Sequence, residues 1–145
     1  MKYLFLVIAI FTNNAFSAAY PQMNISEYKK LCEEEWTKKG VVDQHMVGVC
    51  INDQQDGYQT VQFLIKKFEN QKWIQGAVNL AINEWTKKGL RNDRMVAFTL
   101  TNITDGFEEL LLAYKKPGFN QSKYDACIRN WGVDFRMVWF CYKEM

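Results

Sequence analysis

The chain repeats itself with a period of 49 residues, and this repeat constrains its fold more than any other feature. The six letters EWTKKG at residues 35–40 recur unchanged at residues 84–89. The match runs without a gap from residues 32–67 to residues 81–116, and a shorter third copy begins at Cys127. Internal repeats of this length are typical of stacked supersecondary units, each of which needs its neighbours to bury its apolar face.

Each copy has the apolar spacing of a helical hairpin. Tyr28, Cys32 and Trp36 recur at four-residue intervals, which predicts one face of a first helix. A second helix follows, with a side chain of the same face every three or four residues from Met46 to Phe68. No sustained two-residue alternation occurs, so the sequence predicts an all-α fold of tandem helical hairpins. The predicted helices span about 26–39, 43–68, 70–88, 92–116, 121–131 and 134–144.

The EWTKKG segment is interpreted as the end of the first helix together with its turn. Gly40 suits the left-handed residue that ends a helix, and Lys38 and Lys39 complement the negative helix end. A binding loop that presents these lysines twice is the functional alternative. On that alternative Lys38, Lys39 and their second-copy counterparts are candidate binding residues. Those counterparts are Lys87 and Lys88.

Further signals mark where helices begin and where they are interrupted. Ser26 is a predicted N-cap of the first helix. Gly57 and Gly106 lie inside the predicted second helices, where a glycine costs about 1 kcal/mol relative to alanine and a kink can form. Three residues that each precede a methionine by three positions are predicted N-caps of the second helices. They are Asp43, Asn92 and Asp134.

The four cysteines predict two disulfide bonds, for which three pairings exist. The second copy has lost both of its cysteines together, to Ala81 and Thr99, whereas the other copies keep both. Loss in pairs is expected if each bond lies inside one copy. The predicted bonds therefore staple each hairpin near its turn. They are Cys32–Cys50 and Cys127–Cys141.

Residues 1–19 have the pattern of a signal peptide: Lys2, an apolar run, and a small-residue exit. The small-x-small rule fits cleavage after Ser17 and also cleavage after Ala19. The rest, residues 20–145, is predicted to be a single domain, with copies at about 24–69, 70–118 and 119–145 and thus about two and a half repeats. Export to the periplasm or the outside of the cell is expected.

The third copy resembles a motif of uncharacterised bacterial exported and envelope proteins. It reads CIRNWGVDFRMVWFC at residues 127–141: a Cys, three residues, a Trp, a short turn with Asp and an aromatic residue, and a Met four residues before a second Cys. Residues 32–50 match with a four-residue insertion. The resemblance implies an exported helical unit that a disulfide staples, and it implies no activity.

The sequence offers little for catalysis or for metal and cofactor binding. His45 is the only histidine, no CxxC spacing occurs, and phosphate-binding and hydrolase motifs are absent. We therefore predict no metal, no cofactor and no recognisable catalytic set. Without Lys2 the chain has 17 basic and 16 acidic residues, so no nucleic-acid partner is expected either. No further apolar stretch approaches the length of a membrane span.

Three functions remain as expectations. The first is a helical-repeat module that binds another envelope protein, as an inhibitor or an immunity-type partner does, with Trp139 at the uncovered end of the stack as a candidate contact. The second is a carrier of an apolar small molecule in a core rich in Met and aromatic residues. The third is a cell-wall enzyme that uses carboxylates of Glu33–Glu35.

Overall fold

The structure is a computed structural model, and it describes residues 18–145. The predicted signal peptide lies outside the described residues except for Ala18 and Ala19. The described part contains six helices and two short β-hairpins, so the predicted all-α fold is confirmed. None of its helices is long and apolar enough to cross a membrane. In chain order the elements are α1 Ile25–Glu35, β1 Thr37–Lys38, β2 Val41–Val42, α2 Gln44–Lys67, α3 Ile74–Trp85, β3 Thr86–Lys87, β4 Leu90–Arg91, α4 Asp93–Tyr114, α5 Gln121–Trp131 and α6 Phe135–Glu144.

The TKKG segments form tight β-hairpins, and the prediction that they continue the first helices was wrong. In the first copy α1 ends at Glu35, and β1 pairs antiparallel with β2. Lys39 and Gly40 form the turn with φ angles of 50° and 76°. Positive φ at both central residues gives a turn whose twist matches that of paired strands. The strand pairing therefore outweighs the strain of a left-handed lysine, and the second copy repeats the geometry at Lys88 and Gly89.

Side-chain caps fix the starts of most helices. Asn24 caps α1 in place of the predicted Ser26, because its Oδ1 accepts hydrogen bonds from the Ser26 and Glu27 amides. Asp43 and Asn92 cap α2 and α4 as predicted, through the Met46 and Met95 amides. Asp134 occupies the cap position of α6, but its carboxylate makes no cap hydrogen bond and instead accepts from Arg136 at 2.9 Å.

The second helices of the three copies, α2, α4 and α6, pack side by side in chain order, and each first helix packs on its own second helix. The glycines inside α2 and α4 do not break these helices. A Cβ built on Gly57 would lie 2.5 Å from the Asp93 carbonyl oxygen, and one on Gly106 would lie 2.4 Å from that of Phe135. Both glycines therefore let the start of the next second helix approach the backbone directly.

The core lies between these helices and continues into an aromatic cluster. Its fully buried side chains include Val61, Val96 and Val138, one from each second helix. Trp73, at the start of α3, packs with its ring centroid 4.7 Å from Phe107 and 4.9 Å from that of Phe135. This residue links α3 to α4 and α6, so the last copy shares one core with the earlier two.

Both predicted disulfide bonds are confirmed: Cys32–Cys50 in the first copy and Cys127–Cys141 in the third. In the second copy the Trp85 indole donates a hydrogen bond of 2.8 Å to the Thr99 hydroxyl. Thr99 occupies the position of Cys50, so a hydrogen bond joins the two helices where the first copy has a covalent one. Disulfides of this loop length contribute about 3 kcal/mol in the chain-entropy model.

The glycine contacts lead to a stability prediction. Gly57→Ala and Gly106→Ala should each lower the free energy of unfolding by about 2 kcal/mol or more, because the added methyl overlaps backbone atoms that cannot rotate away. Gly48→Ala is the matched control, since Gly48 lies in α2 with open space around its Cβ position. This variant should gain about 0.5–1 kcal/mol from helix propensity. Urea unfolding followed by circular dichroism measures all three, and equal effects at Gly48 and Gly57 would contradict the account.

Candidate functional site

The first β-hairpin forms one wall of a surface groove of about 350 Å³, which we call the first-turn groove. Trp36, Lys38, Val41 and Asp43 line it. Val41 is 71% exposed. The groove therefore combines an uncovered apolar surface with a lysine at its edge.

The second β-hairpin forms an equivalent groove of about 480 Å³, the second-turn groove. Four of its lining residues are the first-turn residues shifted by 49 positions: Trp85, Lys87, Leu90 and Asn92. The remaining lining residues are Leu31, Glu34 and Glu35 of α1, together with Lys88. Helix α1 thus packs over the second hairpin, and Leu90 is partly buried where Val41 is exposed.

Ion pairs between neighbouring copies recur at positions that the repeat relates. Arg94 at the start of α4 pairs with Glu35 of α1 at 3.3 Å. Arg136 at the start of α6 pairs with Glu84 of α3 at 2.7 Å. Glu84 and Arg136 occupy the repeat positions of Glu35 and Arg94. The first copy has His45 at this position, exposed at the start of α2.

The structure separates the candidate binding residues of the sequence into two kinds of position. Lys38 and Lys39 are exposed at the first hairpin, and neither makes an ion pair within residues 18–145. Lys87 and Lys88 are also exposed, but they line a groove that already contains two glutamates of α1. Trp139 is half-buried against the core and stacks on Tyr142 with a centroid distance of 6.1 Å. The structure therefore brings the lysines together only in pairs, each on its own hairpin.

Exposed apolar side chains occur on the outer face of the second helices, and the sequence analysis did not single them out. On α2 and α4, Phe63 and Phe98 are 64% and 58% exposed. Their repeat counterparts on α4 and α6, Leu112 and Phe140, are 53% and 55% exposed. We call these four residues the apolar face. A comparison of the copies could have found the apolar face, because its residues are apolar at equivalent repeat positions that lie outside the predicted core spacing.

The first-copy glutamates do not form a paired catalytic site. Glu33 pairs with Lys29 at 3.7 Å on the same helix, and Glu35 pairs with Arg94 across the copies. Glu34 and Glu35 line the second-turn groove beside two lysines. Among residues 18–145 there is also no cluster of three or more His, Cys, Asp or Glu side chains suited to a metal ion.

A buried ionic cluster joins the N-terminal segment to the second copy. The fully buried Asp93 carboxylate accepts hydrogen bonds from the Tyr20 and Tyr28 hydroxyls. The Arg91 guanidinium pairs with it and also donates to the Pro21 carbonyl oxygen at 3.0 Å. Tyr20 in turn stacks on Tyr58 of α2. Every charged group of the cluster is satisfied, which is the condition under which a buried carboxylate is tolerated.

The buried ionic cluster changes the pKa values of its two tyrosines and its arginine. Burial, followed by the hydrogen bond to the Asp93 carboxylate, raises the pKa of both Tyr20 and Tyr28 well above 10. Burial alone would lower the pKa of Arg91, but its hydrogen bonds to Asp93 and the nearby charges raise it overall. Both hydroxyls therefore stay neutral donors and Arg91 stays charged. This arrangement fastens chain segments together and leaves no open face for a substrate.

Sequence reasoning missed this cluster, although the repeat contains a weak signal for it. Asp93 occupies a position that is Gln44 in the first copy and the buried Phe135 in the third. A charged residue at a position that is apolar in another copy indicates a buried ion with a dedicated partner. Tyr20 could not be assigned to it, because it precedes the repeats.

The chain matches no protein-family model, and no curated protein and no solved structure is significantly similar to it. The functional argument therefore rests on the geometry of this chain.

The tyrosines of the cluster predict a loss of stability at alkaline pH. In the unfolded chain they ionise near the ordinary pKa of 10.0, whereas the folded protein must keep them neutral. Their contribution is complete below pH 10 and falls as the pH rises above it. Tyr20→Phe should lower the free energy of unfolding by about 1–3 kcal/mol at pH 7, because Asp93 loses a donor. The variant should also show a shallower decline of stability above pH 10.

Urea unfolding at pH 7 to 11 measures both effects. Tyr114→Phe is the control, because Tyr114 is exposed and outside the cluster. It should keep the stability at pH 7 and the alkaline decline of the parent protein. An identical alkaline decline in the parent and in Tyr20→Phe would contradict the assignment.

Proposed function

We propose that the chain is an exported protein, periplasmic or secreted, that binds another envelope protein through the outer face of its second helices. An inhibitor or an immunity-type partner acts in this way. The observation that carries the proposal is the apolar face. Large apolar side chains exposed as a group mark interaction surfaces, whereas single exposed ones need no explanation.

The members of the apolar face lie close enough to be covered together. Arg94 lies 3.8 Å from Asp53, and Lys67 lies 2.6 Å from Glu108, so α2 and α4 run in the same direction. Gly57 of α2 meets the backbone of Asp93 and Arg94. Phe98 lies about one helical turn beyond Arg94, which places it within about two turns of Phe63 on α2. The repeat gives the same spacing to the Leu112–Phe140 pair. The two equivalent apolar pairs are therefore about 21 Å apart along α4, which both of them share.

Exposed acidic residues lie on the same helices as the apolar face. Asp56, Asp105 and Glu109 are exposed on α2 and α4, and none of them makes an ion pair within the described part of the chain. Nearby basic side chains such as Lys67 and Arg94 are already paired with acids. Complementary charge steers and orients protein association. The expected partner surface is apolar at its centre and carries basic residues where it faces Asp56, Asp105 and Glu109.

Export is supported by the two disulfide bonds and by the signal-peptide pattern. Disulfides persist in oxidising compartments such as the periplasm and the cell exterior. The contacts of the N-terminal segment favour one of the two candidate cleavage positions. Ala18 is only 7% exposed, and the Ala19 amide donates a 2.7 Å hydrogen bond to Gln75. Cleavage after Ser17 keeps both residues, whereas cleavage after Ala19 removes them.

A carrier of an apolar small molecule is the second candidate, and one groove favours it. The groove measures about 280 Å³ and lies between the end of α4 and the start of α5. It ranks second because ligand pockets usually measure about 300–1,000 Å³. A carboxylate-based enzyme ranks last, since Glu33 and Glu35 are held in separate ion pairs. The groove is lined by Phe107, Leu110, Leu111, Tyr114, Phe119, Gln121 and Tyr124.

The mature chain is predicted to begin at Ala18. Mass spectrometry of the protein recovered from the periplasm or the medium should give the mass of residues 18–145 less four protons, because both disulfides are formed. A chain engineered to begin at Tyr20 should be less stable, since it lacks the Ala18 and Ala19 contacts. A natural N-terminus at Tyr20, or the uncleaved chain, would contradict this prediction.

In-cell photo-crosslinking tests the binding function. A photoreactive amino acid replaces Phe98 or Phe140 in the producing cells, and the same residue at Lys30, exposed on α1, is the control. Both apolar-face positions should yield one product with the same second polypeptide, and Lys30 should not. Purified partner should then bind the parent protein and lose about tenfold or more in affinity with Phe98→Ala/Phe140→Ala. Absence of any product from both positions would overturn the proposal.

A further inference from the structure

We propose that the Cys127–Cys141 disulfide is a reducible latch, a bond that holds α5 on the core and that a dithiol reductant can open. The reductant opens this bond while Cys32–Cys50 stays intact, and α5 then detaches from the core. The inference concerns the redox state of the chain and does not rest on the proposed binding function. The apolar face lies on α2, α4 and α6, which stay packed together when the latch opens.

The two disulfides differ in how far they are buried. Cys32 and Cys50 are 0% and 2% exposed, so both ends of the first-copy bond are closed to solvent. Cys127 is also 0% exposed, but its partner Cys141 is partly exposed. Thiol–disulfide exchange requires a thiolate to reach one sulfur of the bond, and exposed bonds are the labile ones. Cys141 is therefore the point at which a reductant can attack.

The surroundings of the two bonds add to this difference. The Glu35 carboxylate lies 3.8 Å from the Cys50 sulfur, where it repels an approaching thiolate. The third copy has the neutral Asn130 at the repeat position of Glu35. The thioether sulfur of Met145 lies 3.5 and 3.6 Å from the two sulfurs of the third-copy bond. Met145 is 66% exposed, so few packed contacts hold it over that bond.

Helix α5 has weak attachments besides the disulfide. It packs mainly on α6. Within α5, every residue of which the structure describes, Cys127 is the one fully buried side chain. Tyr124 and Ile128 also pack against the core, but they are only partly buried. At the start of the helix the Asn120 amide donates a 3.0 Å hydrogen bond to the Tyr142 hydroxyl. Cutting the bond therefore removes the main anchor of α5.

Helix α1, the counterpart of α5 in the first copy, is held by more than its disulfide. The Tyr28 hydroxyl donates to the buried Asp93 carboxylate, and Glu35 pairs with Arg94 at 3.3 Å. Both contacts reach the second copy, beyond the hairpin to which α1 belongs. Helix α1 also packs on β4. Its disulfide is thus one attachment among several, so loss of that bond should leave α1 in place.

The exchange proceeds in two steps that balance electrons and protons. A thiolate of the dithiol attacks the Cys141 sulfur, the S–S bond breaks, and Cys127 leaves as a thiolate that takes up a proton. The second thiolate of the reductant then attacks the reductant's own sulfur in the mixed disulfide and releases Cys141, which is protonated in turn. The protein gains two electrons and two protons, and the reductant becomes an intramolecular disulfide.

Graded reduction of the oxidised mature protein tests the order of opening. The protein is treated with dithiothreitol under native conditions, its thiols are alkylated after set times, and peptide mapping assigns them. Cys127 and Cys141 should be alkylated about tenfold faster or more than the first-copy cysteines. Met145→Ala should raise the rate at the third-copy bond and leave the first-copy rate unchanged. Equal rates for the two bonds in the parent protein, or a faster rate at the first-copy bond, would overturn the inference.

Amide hydrogen exchange measures the release of α5. In Cys127→Ser/Cys141→Ser the amides of α5 should exchange about tenfold faster or more than in the parent, while α6 stays protected. The matched variant Cys32→Ser/Cys50→Ser should change the exchange of α1 less, because the contacts of α1 with the second copy remain. The parent protein with its third-copy bond selectively reduced should show the pattern of the first variant, so the test does not depend on how a variant folds.

Two results of the exchange measurement would also overturn the inference. One is unchanged protection of α5 after its bond is cut. The other is a simultaneous loss of protection in all the described helices, which would mean that the bond supports the whole fold. Neither bears on crosslinking through Phe98 and Phe140, so the latch and the binding function can fail separately.

Discussion

The close approach of successive second helices is the constraint on which the rest of the structure depends. At Gly57 and Gly106 the start of the next second helix touches the backbone of the previous one. This contact brings Arg94 and Arg136 to the acidic ends of the preceding first helices, where the interhelix ion pairs form. It also places α1 over the second β-hairpin. A side chain at either glycine would move all of these contacts together, because packed helices transmit a displacement along their length.

The parts of the fold that correspond to a regular residue spacing or to the 49-residue repeat were predictable from the sequence. Helical spacing gave the six helices, and the paired loss of cysteines in the second copy gave the correct disulfides. The β-hairpins at TKKG were missed because two-residue strands are too short to show alternation, and Lys at positive φ is an uncommon turn residue. The glycines were recognised as unusual, but their purpose depends on a neighbouring helix that no local pattern describes.

The candidate site was likewise predictable only in part. Its lysines were singled out from the repeated EWTKKG segment, and the structure shows that α1 contributes to the lining of the second groove only. That difference arises from position in the stack, which identical sequences cannot reveal. The Asp93 cluster was missed for a related reason: Tyr20 and Tyr28 reach the carboxylate from 73 and 65 residues away along the chain.

The positions of the disulfides determine the order in which the copies would unfold. In a linear array each inner unit is held by two neighbours, while the terminal units are held by one and open first. The bonds Cys32–Cys50 and Cys127–Cys141 lie in the first and third copies, and the middle copy has the Trp85–Thr99 hydrogen bond in place of a disulfide. The two disulfides therefore hold together the terminal copies, which would otherwise unfold first. Under reducing conditions the ends would loosen before the centre, so unfolding would become progressive and no longer all-or-none.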